Sequence, residues 1–365
     1  MKIEIIDLKK RFKEEKYEIL KSIKRVLKKG NLVLTPEVQR FEESISKFTG
    51  AKYCLGVNSG TDALMMSLWS SGIIRGDEVI TSPISFIASV SSIIHVGAKP
   101  VFVDVKDDLN INPDLVEAAI TNKTKAIMPV HWTGRVCEMD KIMKIAKKHN
   151  LIVIEDAAQS MGSYYKNKHA GTFGEISAFS THPLKNLNAL GDGGFIITNE
   201  KKLFDKIKLY RNHGLKGRDN VEIIGVNSRL DSLHAEILSF RLKRLKKIIL
   251  RRQKNINLYR KLINTTKISI IEDKKIEKNA NVMFITLCEK RDQLQKYLKK
   301  FNIQSLIYYK TPLHLHKATK FLGYSKGDFP NAENITTKVL SFPHHQHLSR
   351  KEVEFVCKKI DSFYN

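Results

Sequence analysis

The chain has 365 residues, 42% of them hydrophobic, and a formal net charge of +25; this is longer than a single core usually grows and predicts a large domain plus a smaller one. No apolar run is long enough to span a bilayer, the charged start Met1-Lys2-Ile3-Glu4 lacks a secretion-signal pattern, and four scattered cysteines without metal-ligand spacing point to reduced thiols in the cytoplasm. The basic residues are mostly lysines spread over the whole chain, which reads as a compositional bias and not as a nucleic-acid footprint, although a positive field would help to recruit a phosphorylated small molecule.

Residues 9–29 read as a basic helix ending at Gly30, and 41–48 as a second, short helix. Strands are then expected at 54–57, 78–81, 100–105, 125–130 and 151–156, with helices at 63–70, 86–95 and 138–149. Nearly continuous apolar strands alternating with helices predict an α/β fold with a mostly parallel central sheet flanked by helices. The apolar run 195–198 reads as a further strand. From 233 to about 262 the pattern is a long helix, with Leu242, Leu245, Ile248 and Ile249 on one side and Lys and Arg on the other. It fits a solvated helix bridging two domains better than a membrane-surface helix. Beyond it, expected strands at 282–287 and 305–309 and helices at 291–300 and 350–363 make a smaller C-terminal α+β domain. The expected division is a large domain over 1–240, whose N-terminal helix could pack on the small domain, and the bridging helix with the small domain over 241–365.

Four features lie at the ends of predicted strands, where α/β sheets place their ligand sites. Asn58-Ser59-Gly60-Thr61-Asp62 joins a strand to a helix: Gly60 permits close backbone approach, Thr61 offers a hydroxyl, and the helix N-terminus favours a phosphate, while Ser59 or Thr61 also reads as an ordinary N-cap. Asp156 ends an apolar strand, where a carboxylate is costly without a cationic partner; it reads equally as a helix cap. Lys185 stands between Pro183 and the turn Gly191-Asp192-Gly193-Gly194, a constrained backbone that could aim its amine into a site as nucleophile and base, although in so lysine-rich a chain it also reads as a surface residue. Ser180, five residues earlier, could offer a hydroxyl to a phosphate. Phe86, at a strand-to-helix turn, could stack on a planar cofactor or fill the core. A phosphate cradle, a buried Asp, an activated Lys and a stacking ring together are the parts of a pyridoxal 5′-phosphate site.

These motifs resemble those of the DegT/StrS-type nucleotide-sugar aminotransferases of the fold-type-I architecture. The resemblance covers essentially the whole chain and rests on Ser59-Gly60-Thr61-Asp62-Ala63-Leu64, Glu155-Asp156-Ala157-Ala158-Gln159-Ser160, His182-Pro183-Leu184-Lys185-Asn186, Arg211-Asn212-His213-Gly214 and the run 225–231. It implies that Lys185 bonds the cofactor, Asp156 pairs with its ring nitrogen, Gln159 contacts the ring or its phenolic oxygen, Phe86 stacks on the ring, and Gly60, Thr61 and Ser180 bind the phosphate. It further implies a homodimer with shared sites, in which Asn227 reaches the phosphate from the neighbouring subunit and Arg229, Tyr308 and Tyr309, also from the partner, contact a nucleotide-linked keto-sugar. Glutamate, leaving as 2-oxoglutarate, would be the donor, and surface glycans such as lipopolysaccharide or capsule the destination. Family members with histidine in place of the lysine dehydrate; intact Lys185 favours transamination. The chain departs from the family at Tyr308, where His is usual, at His131-Trp132-Thr133-Gly134-Arg135 and at Phe342-Pro343-His344-His345-Gln346, all expected on the substrate side. The run Gly225-Val226-Asn227-Ser228-Arg229-Leu230-Asp231 is similar to members that aminate a 3-keto position; amination at a 4-keto position and a non-catalytic, cofactor-binding regulator are the alternatives. A metal is not expected.

Overall fold

The strands of the central sheet are four or five residues long, and successive side chains go to different cores. In the computed structural model, which describes residues 2–365, two helices, α1 (Leu8–Leu27) and α2 (Pro36–Thr49), precede the first strand, β1 (Tyr53–Val57). Alternation follows: α3 (Gly60–Ser70), β2 (Glu78–Thr81), α4 (Ile87–His95), β3 (Lys99–Phe102), the short α5 (Pro113–Val116), β4 (Thr124–Ile127), α6 (Met139–His149) and β5 (Ile152–Asp156). A hairpin of β6 (Tyr164–Tyr165) and β7 (Lys168–His169) leads to β8 (Ile176–Ser180), β9 (Gly194–Thr198), α7 (Lys201–Tyr210) and the 31-residue α8 (Ser232–Leu262). After it come β10 (Ile268–Ile270), β11 (Glu277–Lys278), β12 (Ile285–Cys288), α9 (Arg291–Lys300), α10 (Pro330–Lys338), β13 (Val339–Ser341) and α11 (Arg350–Tyr364).

The large sheet has seven strands in the order β1-β9-β8-β5-β4-β2-β3. β9 alone runs against its neighbours; β8, β5, β4, β2 and β3 are parallel, and β1, antiparallel to β9, shares their direction. The carboxyl ends of β1, β2, β4, β5 and β8 therefore lie along one edge. Both faces are covered, as such a sheet requires. Leu55, Val57, Val79, Ile154, Ile176, Ala178 and Ile196 pack with α3, α4 and α7. On the opposite face, Cys54, Phe179, Phe195 and Ile197 pack with α2 and α8, and Ile80, Ile127 and Val153 with α6.

The C-terminal region builds an antiparallel sheet β10-β12-β13, whose core joins Phe284, Leu340 and Phe342 to Leu294, Leu298, Val353 and Val356, and takes in Ile3 from the N-terminus. α8 serves both regions: Leu238, Leu242 and Leu245 enter the large-sheet core, Ile256 and Tyr259 the C-terminal one. We propose that the boundary between the two domains falls within this helix. The expected strand at 305–309 is not one; only Leu306 makes a β-bridge, to Ser341. Its tyrosines turn into a cavity instead of a sheet.

Candidate active site

A cavity of about 430 Å³ opens along the carboxyl edge of the sheet. Each strand end delivers a side chain to it: Ser59, Gly60 and Thr61 follow β1, Ser85 and Phe86 follow β2, Trp132 follows β4, Asp156 and Gln159 close β5, and Ser180 and Lys185 follow β8. Met283, Tyr308 and Tyr309 close the far side. A larger groove of about 1170 Å³, between α2, α7 and the loop 211–222, holds the Glu42–Arg211 ion pair but no comparable set of reactive groups.

Asp156 is buried on the floor of the cavity. Its Oδ2 accepts from Ser89 Oγ at 2.6 Å and its Oδ1 from the Ala158 N–H at 3.2 Å. Burial pushes its carboxyl above the ordinary carboxylate range, with Ser89, Ala158, Lys185 and His131 pulling the other way. No cation is within ion-pair distance of it among the described residues. The Lys185 amine lines the same cavity without a hydrogen bond or salt bridge among the described residues. Burial brings its ammonium down to about 8, opposed by the charge of Asp156.

The backbone around Lys185 is fixed at both ends. The Lys185 N–H donates to the His182 carbonyl at 2.9 Å, Ala189 N–H to Thr181 O at 2.7 Å, and Thr181 N–H to Gly193 O at 2.8 Å. Gly194 permits this closure: a Cβ there would sit 2.5 Å from Ser59 O and 2.7 Å from Phe179 O. From behind, Arg241 Nη1 donates to Asn188 O at 2.7 Å and Ala189 O at 3.1 Å. The lysine is thus built into the cavity wall and is not a free surface residue.

Both readings of the Ser59 segment hold at once. Ser59 Oγ caps α3 by accepting from Asp62 N–H at 3.0 Å, while Gly60 and Thr61 present the helix start to the cavity. A Cβ on Gly60 would lie 2.6 Å from Ser180 Cβ, so only glycine lets these two walls meet. Phe86 is 56% exposed and faces Tyr309 across 6.1 Å between ring centroids, which rules out the core reading. Gln159 Oε1 is buried without a hydrogen-bond partner among the described residues, as is Trp132 Nε1.

A model of the DegT/DnrJ/EryC1/StrS aminotransferase family matches residues 13–361. The chain belongs to this family. A dTDP-3-amino-3,6-dideoxy-alpha-D-galactopyranose transaminase of Aneurinibacillus thermoaerophilus is 39% identical to it over 99% of each chain. A pleiotropic regulatory protein of Geobacillus stearothermophilus is 38% identical, over 100% of this chain and 99% of its own. Among solved structures, S. venezuelae DesV in complex with a ketimine intermediate is similar with a TM-score of 0.96 at 34% identity, covering 99% of this chain and 98% of that one. Spr1654 from Streptococcus pneumoniae in its PLP-form is similar with a TM-score of 0.90 at 26% identity, covering 94% and 95%.

Within this DegT/DnrJ/EryC1/StrS member the structure departs from several expectations. Tyr308 and Tyr309, expected from a partner subunit, line the cavity of their own chain. Asn227 and Arg229, by contrast, were expected to serve a neighbouring subunit, and they lie outside the cavity of their own chain: Asn227 forms a backbone bridge with Asn212, and Arg229 Nη1 donates to Asn212 Oδ1 at 3.0 Å. Of the runs expected on the substrate side, only Trp132 and Tyr308 reach the cavity. His131 is buried, its Nδ1 accepting from Cys137 N–H at 3.2 Å and its Nε2 donating to Glu155 at 2.9 Å. Arg135 pairs with Glu277 and Asp273, and His344 Nε2 lies 3.0 Å from Asn281 O. Ser89 escaped the sequence reading altogether, because its partner Asp156 is 67 residues away.

Proposed function

We propose that the chain is a pyridoxal 5′-phosphate-dependent aminotransferase that moves an amino group from glutamate to a keto-sugar of a nucleoside diphosphate, with C3 as the favoured position, in surface-glycan biosynthesis. The observation that carries this reading is a half-buried lysine amine and a buried carboxylate, neither in an ion pair among the described residues, in one cavity with a helix N-terminus. The cavity fits the cofactor: among the described residues Asp156 lacks a cation and Gln159 Oε1 lacks a donor, and Gly60 keeps a cradle open against Ser180.

When bound, the cofactor supplies an electron sink that acidifies Cα of an attached amine. Gly60, Thr61 and Ser180 would hold its phosphate with the N–H groups at the start of α3. Asp156 would hold the ring nitrogen in its cationic form, and that charge in turn keeps Asp156 ionised. Phe86 would lie against one ring face, and Gln159 would meet the ring or its phenolic oxygen. Lys185, with an ammonium brought down to about 8, has an appreciable neutral fraction near neutral pH and can attack a carbonyl or carry a proton between neighbouring carbons. Tyr308 and Tyr309, which line the cavity, would contact the sugar. Asn227 and Arg229 would serve the site of a second copy, which makes the working unit a homodimer.

The preference for C3 rests on the run 225–231 and on the 3-amino sugar in the name of the Aneurinibacillus relative. The regulatory name of the Geobacillus relative favours one other reading, a cofactor-binding protein without turnover. The deciding measurement is the absorbance of the cofactor-loaded protein before and after glutamate. Conversion of its visible band to that of pyridoxamine phosphate, with release of 2-oxoglutarate, supports the aminotransferase. A band that ignores glutamate and every other amino donor supports the regulator. Separate 3-keto and 4-keto sugar nucleotides then decide the position.

A further inference from the structure

Mid-helix serines in this chain usually turn their hydroxyl back on the helix: Ser67 Oγ donates to Ala63 O at 2.7 Å and Ser239 Oγ to Ala235 O at 2.8 Å. Ser89, in the first turn of α4, turns its hydroxyl to the cavity instead. Its Oγ lies 2.6 Å from Asp156 Oδ2, and Ser85 Oγ lies 2.6 Å from Ser89 Oγ. Both serines line the cavity, although they are only 5% and 1% exposed. Chemistry fixes the direction of the chain. An ionised carboxylate only accepts and a hydroxyl has one proton, so Ser89 donates to Asp156 and its oxygen accepts from Ser85. Phe86 lies between the two serines in sequence, at the N-cap of the same helix.

We propose that Ser85 and Ser89 are positioning residues, a two-hydroxyl relay that orients the Asp156 carboxylate and sets how strongly it competes for the proton of a ring nitrogen opposite. This rests on the cofactor reading above. The other groups whose charge bears on Asp156 or feels it are Lys185 from the turn after β8, His131 after β4, Tyr309 across the cavity and the Cys137 thiol. Among the described residues none of them makes a hydrogen bond to the carboxylate through its side chain, so Ser89 is its only side-chain donor. Removing that donor leaves a more basic carboxylate. It takes a larger share of the ring proton, the ring carries less positive charge, and the proton on the nearby Lys185 nitrogen is held more tightly.

The test compares wild type, Ser85→Ala, Ser89→Ala and the double variant, each loaded with pyridoxal phosphate. The readouts are the affinity for pyridoxal phosphate and the pH midpoint of the visible band. Ser89→Ala is expected to weaken cofactor binding about tenfold to a hundredfold, the range for a lost hydrogen bond to a charged group, and to raise the midpoint by about one pH unit. Ser85→Ala shifts both the same way by less. The double variant goes no further than Ser89→Ala, because Ser85 acts through Ser89. Additive shifts, or a Ser89→Ala midpoint that coincides with wild type, overturn the relay. Should Ser89→Ala fail to fold, an unchanged midpoint in Ser85→Ala overturns it equally. Wild-type protein that takes up no pyridoxal phosphate would instead sink the cofactor reading itself.

Discussion

At neutral pH the Lys185 amine is charged, half-buried and without a polar partner among the described residues, and this has a cost that can be measured. Its folded value near 8 is below the ordinary 10.5. Below pH 8 both folded and unfolded chains hold the proton, so the cost of burying the charge is fully present. Between 8 and 10.5 the folded chain releases the proton while the unfolded chain keeps it, and stability rises with pH. A shift of this size corresponds to about 3 kcal/mol, or about 2 kcal/mol once partial access through the cavity is allowed for. Lys185→Met should therefore abolish turnover and stabilise the cofactor-free protein by about 2 kcal/mol at pH 7, with the gain gone above pH 10.5. Urea unfolding at pH 7 and at high pH reads this directly; equal stabilities at pH 7 would mean the amine is solvated in the fold. At this scale the sequence was legible where a reactive residue ends a strand, as with Asp156, and where turn chemistry brackets it, as with Lys185. It was not legible for Ser89, whose role depends on a contact between separate elements.

Elements hold the site from behind. Glu15, on α1, is buried and receives Arg11 at 3.3 Å from its own helix and Arg241 at 2.8 Å from α8. Arg241 in turn holds the carbonyls of Asn188 and Ala189, and Arg11 Nη2 reaches Asn186 O at 3.5 Å, so this network grips the turn that follows Lys185. Burial and the nearby Arg241 already lower the Arg11 guanidinium to about 10, partly offset by Glu15. Glu15→Gln removes the shared anion and leaves two buried cations facing each other. It should cost about 3–5 kcal/mol in urea unfolding and weaken pyridoxal phosphate binding, whereas Glu18→Gln, half-buried on α1 and without an ion pair among the described residues, should do neither. A stable Glu15→Gln protein with normal cofactor affinity would show that the turn needs no such grip. The sequence predicted α1 as a basic helix but not this function, since Glu15 and Arg241 lie 226 positions apart. β8 was missed as well: of its residues only Ser180 was read, as a hydroxyl for a phosphate and not as the end of a strand. The same limit explains 305–309: a β-like run of aromatic residues became cavity wall because Tyr309 packs against Trp132 and Phe86 and leaves only Leu306 to bridge a strand.

Exposed apolar side chains stand at the cavity and on the loop that carries Asn227. Phe86 and Leu184 line the cavity and are exposed, and elsewhere the loop ahead of Asn227 exposes Val221, Val226 and Ile224, the last at 89%. Asn227 and Arg229 are anchored in their own chain through Ser228, which accepts from Asn58 N–H at 3.0 Å and donates to Asp62 Oδ2 at 2.7 Å. That anchor ties the 227–229 segment to the start of α3 while leaving Asn227 exposed and away from the cavity lining. Residues fixed in place but absent from their own site are what a two-fold assembly with shared sites requires, since each chain then lends the same surface to the other. This can be tested without a structure of the assembly. Lys185→Ala and Arg229→Ala should each be inactive as pure proteins. Unfolded together and refolded as a mixture, half of the dimers would pair one chain of each kind. Such a dimer has one site that lost both residues and one that kept both, so the mixture should recover about a quarter of wild-type turnover. Introducing Ile224→Asp into both chains should prevent the recovery by placing a charge in the interface. Activity in pure Arg229→Ala protein, or no recovery from a mixture that refolds as dimers, would place the whole site within one chain.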